Sequence, residues 1–328
     1  MGKRKIPFLF VIDFKMKGIY LRELKSLNPG EVKFSTPLFN NSPASLPAFK
    51  QPFSFISTPP DIDIYSKAFK QVVKEIHYGN SYLTNLTFPS ALQSNLNLED
   101  IYLFSNAPYK LLFKQKFVVF SPEIFVQVRD GKIYSHPMKG TIKDDVPYAR
   151  ETILGNPKEL AEHATIVDLI RNDMSMAAKN VKVEKFRYID NISTHAGNLL
   201  QVSSCISGEL PLHYQEAIGD IFFTLLPAGS VTGAPKKKTL EIIEHAENYE
   251  RGYYTGVFGV FDGTSLDSGV MIRFIEKNKT GYTFKSGGGI NAYSKLEEEY
   301  QELINKIYVP ISRNIEDSRE KNFSCRIP

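Results

Sequence analysis

The sequence predicts an α+β protein: helices separated by antiparallel strand meanders, not a doubly wound parallel sheet. Three observations carry this. Residues 109–142 alternate in apolar and polar character around an Asp130-Gly131 turn, as a meander does. Three short strands, "YYTGVFGVFDG", "SGVMIRFIEK" and "YTFKSGGGI", follow one another with short turns. Segments of helical period stand between these strand groups.

In chain order, "FLFVIDF" and "GIYLREL" read as two strands around a turn at Lys17-Gly18. Residues 28–60 hold seven prolines among Asn and Ser and are expected to form a long irregular arm, neither helix nor strand. From Tyr65 the apolar spacing predicts a helix that ends at Gly79 as its C-cap. "SYLTNLTFP" then reads as a strand. "PKELAEHATIVDLIRNDMSMAAKN" is the clearest helix, apolar nearly all round its inner part and so expected to be buried. "KVEKFRYI" and "LLQVSSCISGEL" read as strands, and "YQEAIGDIFFTLL" and "KKKTLEIIEHAENYERG" as helices. The last helix falls in "SKLEEEYQELINKIYVPI". With no repeat and no clear linker, a single domain is expected. Its N-terminal strands and proline-rich arm (1–64) would pack on a catalytic body (65–312), followed by a flexible tail (313–328).

The 328 residues are 42% apolar and 23% charged, with a net charge of +4, which describes an ordinary globular chain. "KRK" at 3–5 and "KKK" at 236–238 are not interleaved with aromatics, so no nucleic-acid footprint is expected. Cys205 and Cys325 have no CxxC spacing, which argues against a disulfide framework or a zinc site. The N-terminal apolar run stops at Asp13, too early for a signal peptide, and no run approaches a membrane span. Gly2 lacks the Ser/Thr of a myristoylation site. The expected setting is cytoplasmic, with no membrane partner.

Two helices carry carboxylates three residues apart, Glu159 with Glu162 and Glu299 with Glu302, each pair on one helical face. If the faces meet, four carboxylates surround one point, a hard-oxygen site suited to magnesium; a solvated acidic face is the plainer reading of the second pair. Gly287, Gly288 and Gly289 in "SGGGI" let backbone N–H groups approach an anion, or simply form a tight turn. Arg273 is expected mid-strand among apolar neighbours, where its guanidinium needs a carboxylate from protein or substrate. Glu123 in "FSPEIF" is either a desolvated general acid or a salt-bridged strand residue. Lys139, in "SHPMKGTI", sits in a kinked stretch, and by itself reads as a surface lysine.

In this order, "PMKGT", "AEHATIVDLIRND", "GSVTGAPK", "YTG", "SGGGI" and "EYQELINK" resemble the chorismate-utilising enzymes, over residues 65–309. The resemblance implies a layered α/β/β/α sandwich of two large antiparallel sheets, with a shortened N-terminal part. It places the active site in a cleft with one Mg2+. Glu162 and Glu302 resemble the metal ligands, with Glu159 and Glu299 as a second pair acting through water. Glu123 resembles the acid that protonates the departing C4 hydroxyl. The "SGGGI" amides, Tyr254, Arg273 and Lys306 resemble groups that hold the substrate carboxylates, and Thr232 of "GSVTGAPK" joins them.

Two positions divide that family. Isochorismate-forming members carry a lysine base where this chain has Leu83. Anthranilate-forming members usually carry alanine where this chain has Lys139, and the aminodeoxychorismate synthases carry the lysine. The resemblance therefore implies Lys139 as a covalent nucleophile, whose pKa must fall toward neutrality for it to attack. It implies the aminodeoxychorismate synthase component I branch, in para-aminobenzoate and folate synthesis. The alternatives are anthranilate synthase component I and a non-catalytic chorismate-binding paralogue. No cysteine stands in a glutaminase context, so a separate glutamine amidotransferase subunit is expected to supply ammonia. The family histidine of "HLVS" is replaced by Leu200, with His195 nearby but out of register. No "LLES"-like element of the tryptophan-regulated relatives is present.

Overall fold

The computed structural model describes residues 1–42, 53–194, 197–279 and 281–311. His195, Cys325, the tail from 313 and the middle of the proline-rich arm lie outside the described residues. The helices are α1 (Ile62–His77), α2 (Leu98–Phe104), α3 (Ala149–Gly155), α4 (Pro157–Ser175), α5 (Ile218–Leu225), α6 (Lys236–Ala246) and α7 (Leu296–Asn305). The first nine strands are β1 (Phe8–Ile12), β2 (Ile19–Glu23), β3 (Val32–Ser35), β4 (Phe55–Thr58), β5 (Leu83–Ser94), β6 (Tyr109–Phe113), β7 (Phe117–Ser121), β8 (Ile124–Arg129) and β9 (Lys132–Ser135). The rest are β10 (Met138–Lys143), β11 (Lys179–Thr194), β12 (Gly197–Glu209), β13 (Gly233–Ala234), β14 (Val257–Phe261), β15 (Leu266–Val270), β16 (Phe274–Asn278) and β17 (Gly281–Ile290).

The strands form two antiparallel sheets. The first has the order β10-β12-β9-β8-β15-β14-β1-β2, with β11 also paired to β12. The second has the order β13-β5-β17-β16-β7-β6-β3, with β4 on β5. Three apolar layers bind them. Leu9, Val11, Tyr109, Val119, Phe258 and Phe274 fill the space between the sheets. Helices α1, α2, α6 and α7 cover the second sheet through Tyr65, Val72, Ile101, Ile242 and Leu303. Helices α4 and α5 cover the first through Val167, Ile221 and Phe222. This is the expected α/β/β/α sandwich, and each fully buried Leu, Val or Phe contributes about 1.5–3 kcal/mol.

Several expectations are corrected. The proline-rich arm contains β3 and β4, because its prolines flank these runs and leave their N–H groups free to pair. The N-terminal segment supplies strands to both sheets: β1 lies between β14 and β2, and β3 pairs with β6. Helix α1 begins three residues before Tyr65, where the Asp61 side chain accepts from the N–H groups of Asp63 and Ile64. Helices α2 and α3 were not expected; α2 is set by a capping box between Asn97 and Asp100. Helix α6 stops at Ala246, since Glu247 turns inward to meet Arg251.

Arg273 is not mid-strand. The chain leaves the second sheet for the first at Pro122-Glu123, between β7 and β8, and returns at Met271 to Arg273, between β15 and β16. The two crossovers are joined, since Val270 N–H donates to the Glu123 carbonyl at 3.0 Å and Phe120 N–H to the Arg273 carbonyl at 3.1 Å. Arg273 adopts φ 51°, a conformation that non-glycine residues take at a cost of about 1–3 kcal/mol and that clusters at functional sites.

Candidate active site

A cavity of about 1040 Å³ opens where the sheets part, beside the two crossovers and under α4 and α7. Its walls include Lys139, Glu159 and Glu162 on one side, Gly287, Gly288, Gly289, Glu302 and Lys306 on the other, and Glu123, Tyr254 and Arg273 at the crossovers.

Lys139 reaches this cavity because β10 is irregular there. The register against β12 shifts between Met138 and Thr141, and Gly140 takes φ 83°. Such a bulge re-aims a side chain that regular pairing would leave on the sheet face. Lys139 Nζ meets Glu162 Oε2 at 2.7 Å. The surface-lysine reading is thereby set aside, and so is the expectation of a lowered pKa. Burial acts to lower it, but the charges of Glu162, Glu302 and Glu159 together outweigh burial and raise it.

Lys306, at the end of α7, contrasts with it. It meets Glu302 Oε1 at 2.6 Å and donates to the Gly287 carbonyl at 2.8 Å. Its pKa is lowered, chiefly by burial, against the pull of Glu302, with Arg273 and Lys139 adding repulsion. A Cβ on Gly288 would stand 3.5 Å from both Glu299 Oε2 and Glu302 Oε1 and 3.7 Å from Lys306 Nζ, so three charged groups gather on that one glycine. Gly287 must lack a side chain for another reason: a Cβ there would lie 2.4 Å from the Leu86 carbonyl of β5.

Glu123 is raised in pKa, with burial as the main cause; the Ser230 hydroxyl, which donates to Oε1, and the charges of Arg273 and Lys306 oppose the rise. Tyr254 is buried, its phenol pushed well up by desolvation. Arg273 lies 5.2 Å from the Tyr308 ring centroid, and its Nε is buried without a hydrogen-bond partner. No protein carboxylate pairs with it among the described residues, which leaves the guanidinium available to an anionic ligand.

Two expected residues do not line the cavity, Thr232 away from it and Glu299 beside Gly288. Thr232 is fully buried, donates its hydroxyl to the Ala228 carbonyl at 2.8 Å and does not line the cavity. Glu299 is buried behind Glu302 and accepts from the Ser294 hydroxyl at 2.7 Å.

Glu159, Glu162 and Glu302 act together on the Lys139 ammonium, which takes the place of a positive charge among them. Glu159 Oε2 is buried with no hydrogen-bond partner. Oxygen donors of this kind fit magnesium. Among the described residues no three acidic, histidine or cysteine side chains are grouped closely enough to hold a metal ion by themselves.

Sequence reasoning missed several residues here. Ser230 lay inside a quoted motif without a role. Asn291, directly after "SGGGI", donates to Glu162 Oε1 at 3.1 Å. Arg251 and Glu247 form a buried bidentate pair, at 2.8 and 2.6 Å, and Arg251 also donates to the carbonyls of Val231 and Asn85. This pair ties the 229–235 segment to β5, and its i, i+4 spacing was the available signal. Leu83 lines the cavity where a lysine base would stand, and Leu200 is buried and does not. Among the described residues no helix is long and apolar enough to cross a membrane.

Comparison with known proteins agrees with this architecture. The model of the chorismate binding enzymes matches residues 15–312. A Haemophilus influenzae protein described as an uncharacterized PabA-like protein is 47% identical over 310 residues, covering 94% of each chain. Aminodeoxychorismate synthase component 1 of Bacillus subtilis is 28% identical over 323 residues, 94% of this chain and 64% of that one. The structure of MenF, the menaquinone-specific isochorismate synthase of Escherichia coli, superposes with a TM-score of 0.66 at 20% identity, over 81% of this chain and 64% of that one, a likeness of fold. The two sheets, the cleft between them and the motifs that line it are those of one lineage, and the chain belongs to the chorismate binding enzyme family.

Proposed function

We propose that this chain is component I of an aminodeoxychorismate synthase. It converts chorismate and ammonia to 4-amino-4-deoxychorismate, the precursor from which a separate lyase forms para-aminobenzoate for folate. A glutamine amidotransferase subunit supplies the ammonia. The observation that carries this reading is Lys139, which a bulge in β10 turns into the cavity beside Glu162.

The side chains divide the work by charge. Arg273, Lys306 and the amides of Gly287 to Gly289 receive the substrate carboxylates. Glu162 and Glu302, with Glu159 and Glu299 behind them, would hold Mg2+, which supplies a hard positive charge for a substrate carboxylate. Lys139, once it passes a proton to water in the open cavity, attacks C2 of the ring. Both ring double bonds shift by one position and the C4–O bond breaks, while Glu123 protonates the leaving oxygen and water departs. Ammonia adds at C4 and gives a proton to the Glu123 carboxylate, both double bonds return, and the C2–N bond breaks to release Lys139 as an amine.

The raised pKa of Lys139 favours a second reading, in which ammonia adds directly and anthranilate is the product. Purified chain, chorismate, an ammonium salt and Mg2+ distinguish the two. The proposal expects 4-amino-4-deoxychorismate by mass spectrometry, converted to para-aminobenzoate when a lyase is added. Fluorescent anthranilate as the main product overturns it.

A further inference from the structure

We infer that Ser230 is a positioning residue that fixes which oxygen of Glu123 carries the transferable proton. This rests on the reading of Glu123 as the general acid.

Glu123 is held at three points. Its N–H donates to Ser121 Oγ at 3.1 Å, and its carbonyl accepts from Val270 N–H at 3.0 Å. Its Oε1 accepts the Ser230 hydroxyl. Oε2 makes no hydrogen bond among the described residues, and Glu123 lines the cavity. An oxygen that accepts a hydroxyl proton serves best as the carbonyl oxygen of a neutral carboxyl. The reverse arrangement, Oε1–H donating to Ser230, would leave the serine proton without an acceptor, because Ser230 has no other side-chain hydrogen bond among the described residues. The acidic proton therefore resides on Oε2 and faces the substrate.

The segment that presents Ser230 is held on both sides. Lys236 Nζ meets Asp173 Oδ2 at 2.8 Å and donates to the Leu225 carbonyl at 2.7 Å. A Cβ on Gly229 would come within 2.9 Å of Asp173 Oδ2, so the turn packs directly on α4. Arg251 donates to the Val231 carbonyl at 2.8 Å. When the C4–O bond breaks, its electron pair goes to oxygen, the Oε2 proton follows, and water leaves. The carboxylate that remains still accepts the Ser230 hydroxyl at Oε1. Ser230 thus aims the acid and stabilises its conjugate base.

The test is chorismate turnover against pH for wild type, Ser230→Ala, Ser230→Gly, Ser230→Thr and Glu123→Gln, with Tm recorded for each. The Ser230 bond, with the charges of Arg273 and Lys306, opposes the rise in the Glu123 pKa, so its loss moves the basic limb of kcat to higher pH. The expected result is that Ser230→Ala and Ser230→Gly lose about tenfold in kcat with KM nearly unchanged, and shift that limb upward. Ser230→Thr, which keeps the hydroxyl, restores both. An unmoved limb in both truncations overturns the inference, whatever kcat, KM and Tm do. Wild-type turnover by Glu123→Gln overturns instead the acid reading on which it rests.

Discussion

The two walls of the cavity carry the same pair in opposite surroundings. On the α4 side Lys139 meets Glu162 at 2.7 Å; on the α7 side Lys306 meets Glu302 at 2.6 Å. Yet the first lysine is raised in pKa and the second lowered. The pair does not decide this; burial dominates at Lys306, whereas at Lys139 further carboxylates outweigh it. Lys139 feels three carboxylates, whereas Lys306 is buried between Glu302 and two other cations. The cleft is therefore polar across its width, negative beside α4 and positive beside Arg273 and Lys306. A ligand with a carboxylate at one end and a bound cation at the other fits that gradient.

The most severe way to break this comparison is to remove the carboxylates. Glu162→Gln and Glu302→Gln should each reduce magnesium-dependent turnover by about a thousandfold or more, roughly 4 kcal/mol in barrier, while Tm stays near wild type. A magnesium titration of Glu302→Gln that superimposes on wild type would remove that residue from the metal site. The positive wall should respond differently. Lys306→Met is expected to raise KM for chorismate about ten- to a hundredfold, the worth of one charge-assisted hydrogen bond, with a smaller change in kcat. Collapse of kcat at unchanged KM would move Lys306 from binding to chemistry.

A smaller effect concerns stability. Burial raises Glu123 above its unfolded value, so its neutral form is favoured in the folded state at low pH, and that contribution is lost as pH rises through the folded pKa. Glu123→Gln, which stays neutral, should melt about 1–3 °C above wild type at pH 8, with the gap closing toward pH 4. Equal melting points across that range would mean that the carboxyl is not desolvated. Smallest of all, Thr232→Val should leave KM for chorismate within about twofold and cost about 1 kcal/mol in denaturant unfolding, because its hydroxyl serves the Ala228 carbonyl. A tenfold rise in KM would return Thr232 to the substrate.

The sequence carried the fold class and most of the cavity, because those signals are local. Helical carboxylate pairs, a glycine run and an apolar helix can each be read from a few adjacent residues. What it hid depends on distant neighbours. Arg273 reads as mid-strand because Val270, Met271 and Ile272 are apolar; only the pairing of β15 and β16 into different sheets reveals a crossover. The strands of the arm were hidden because prolines bracket Val32–Ser35 and Phe55–Thr58, and composition alone does not tell a flank from an interruption. Helices α2 and α3 span seven residues each, too short for a period to show. The charge state of Lys139 is set by Glu162, Glu159 and Glu302, of which the last lies on the opposite wall.

The central claim is that Lys139 forms a bond to the substrate ring. Its most direct test is intact-protein mass spectrometry after incubation with Mg2+ and a chorismate analogue that loses its C4 substituent but resists amination. The account predicts a covalent adduct that peptide mapping places on Lys139, and none on Lys139→Ala, whose turnover with chorismate should fall by about two to four orders of magnitude. No adduct on the wild-type chain, together with near-wild-type turnover by Lys139→Ala, would contradict it.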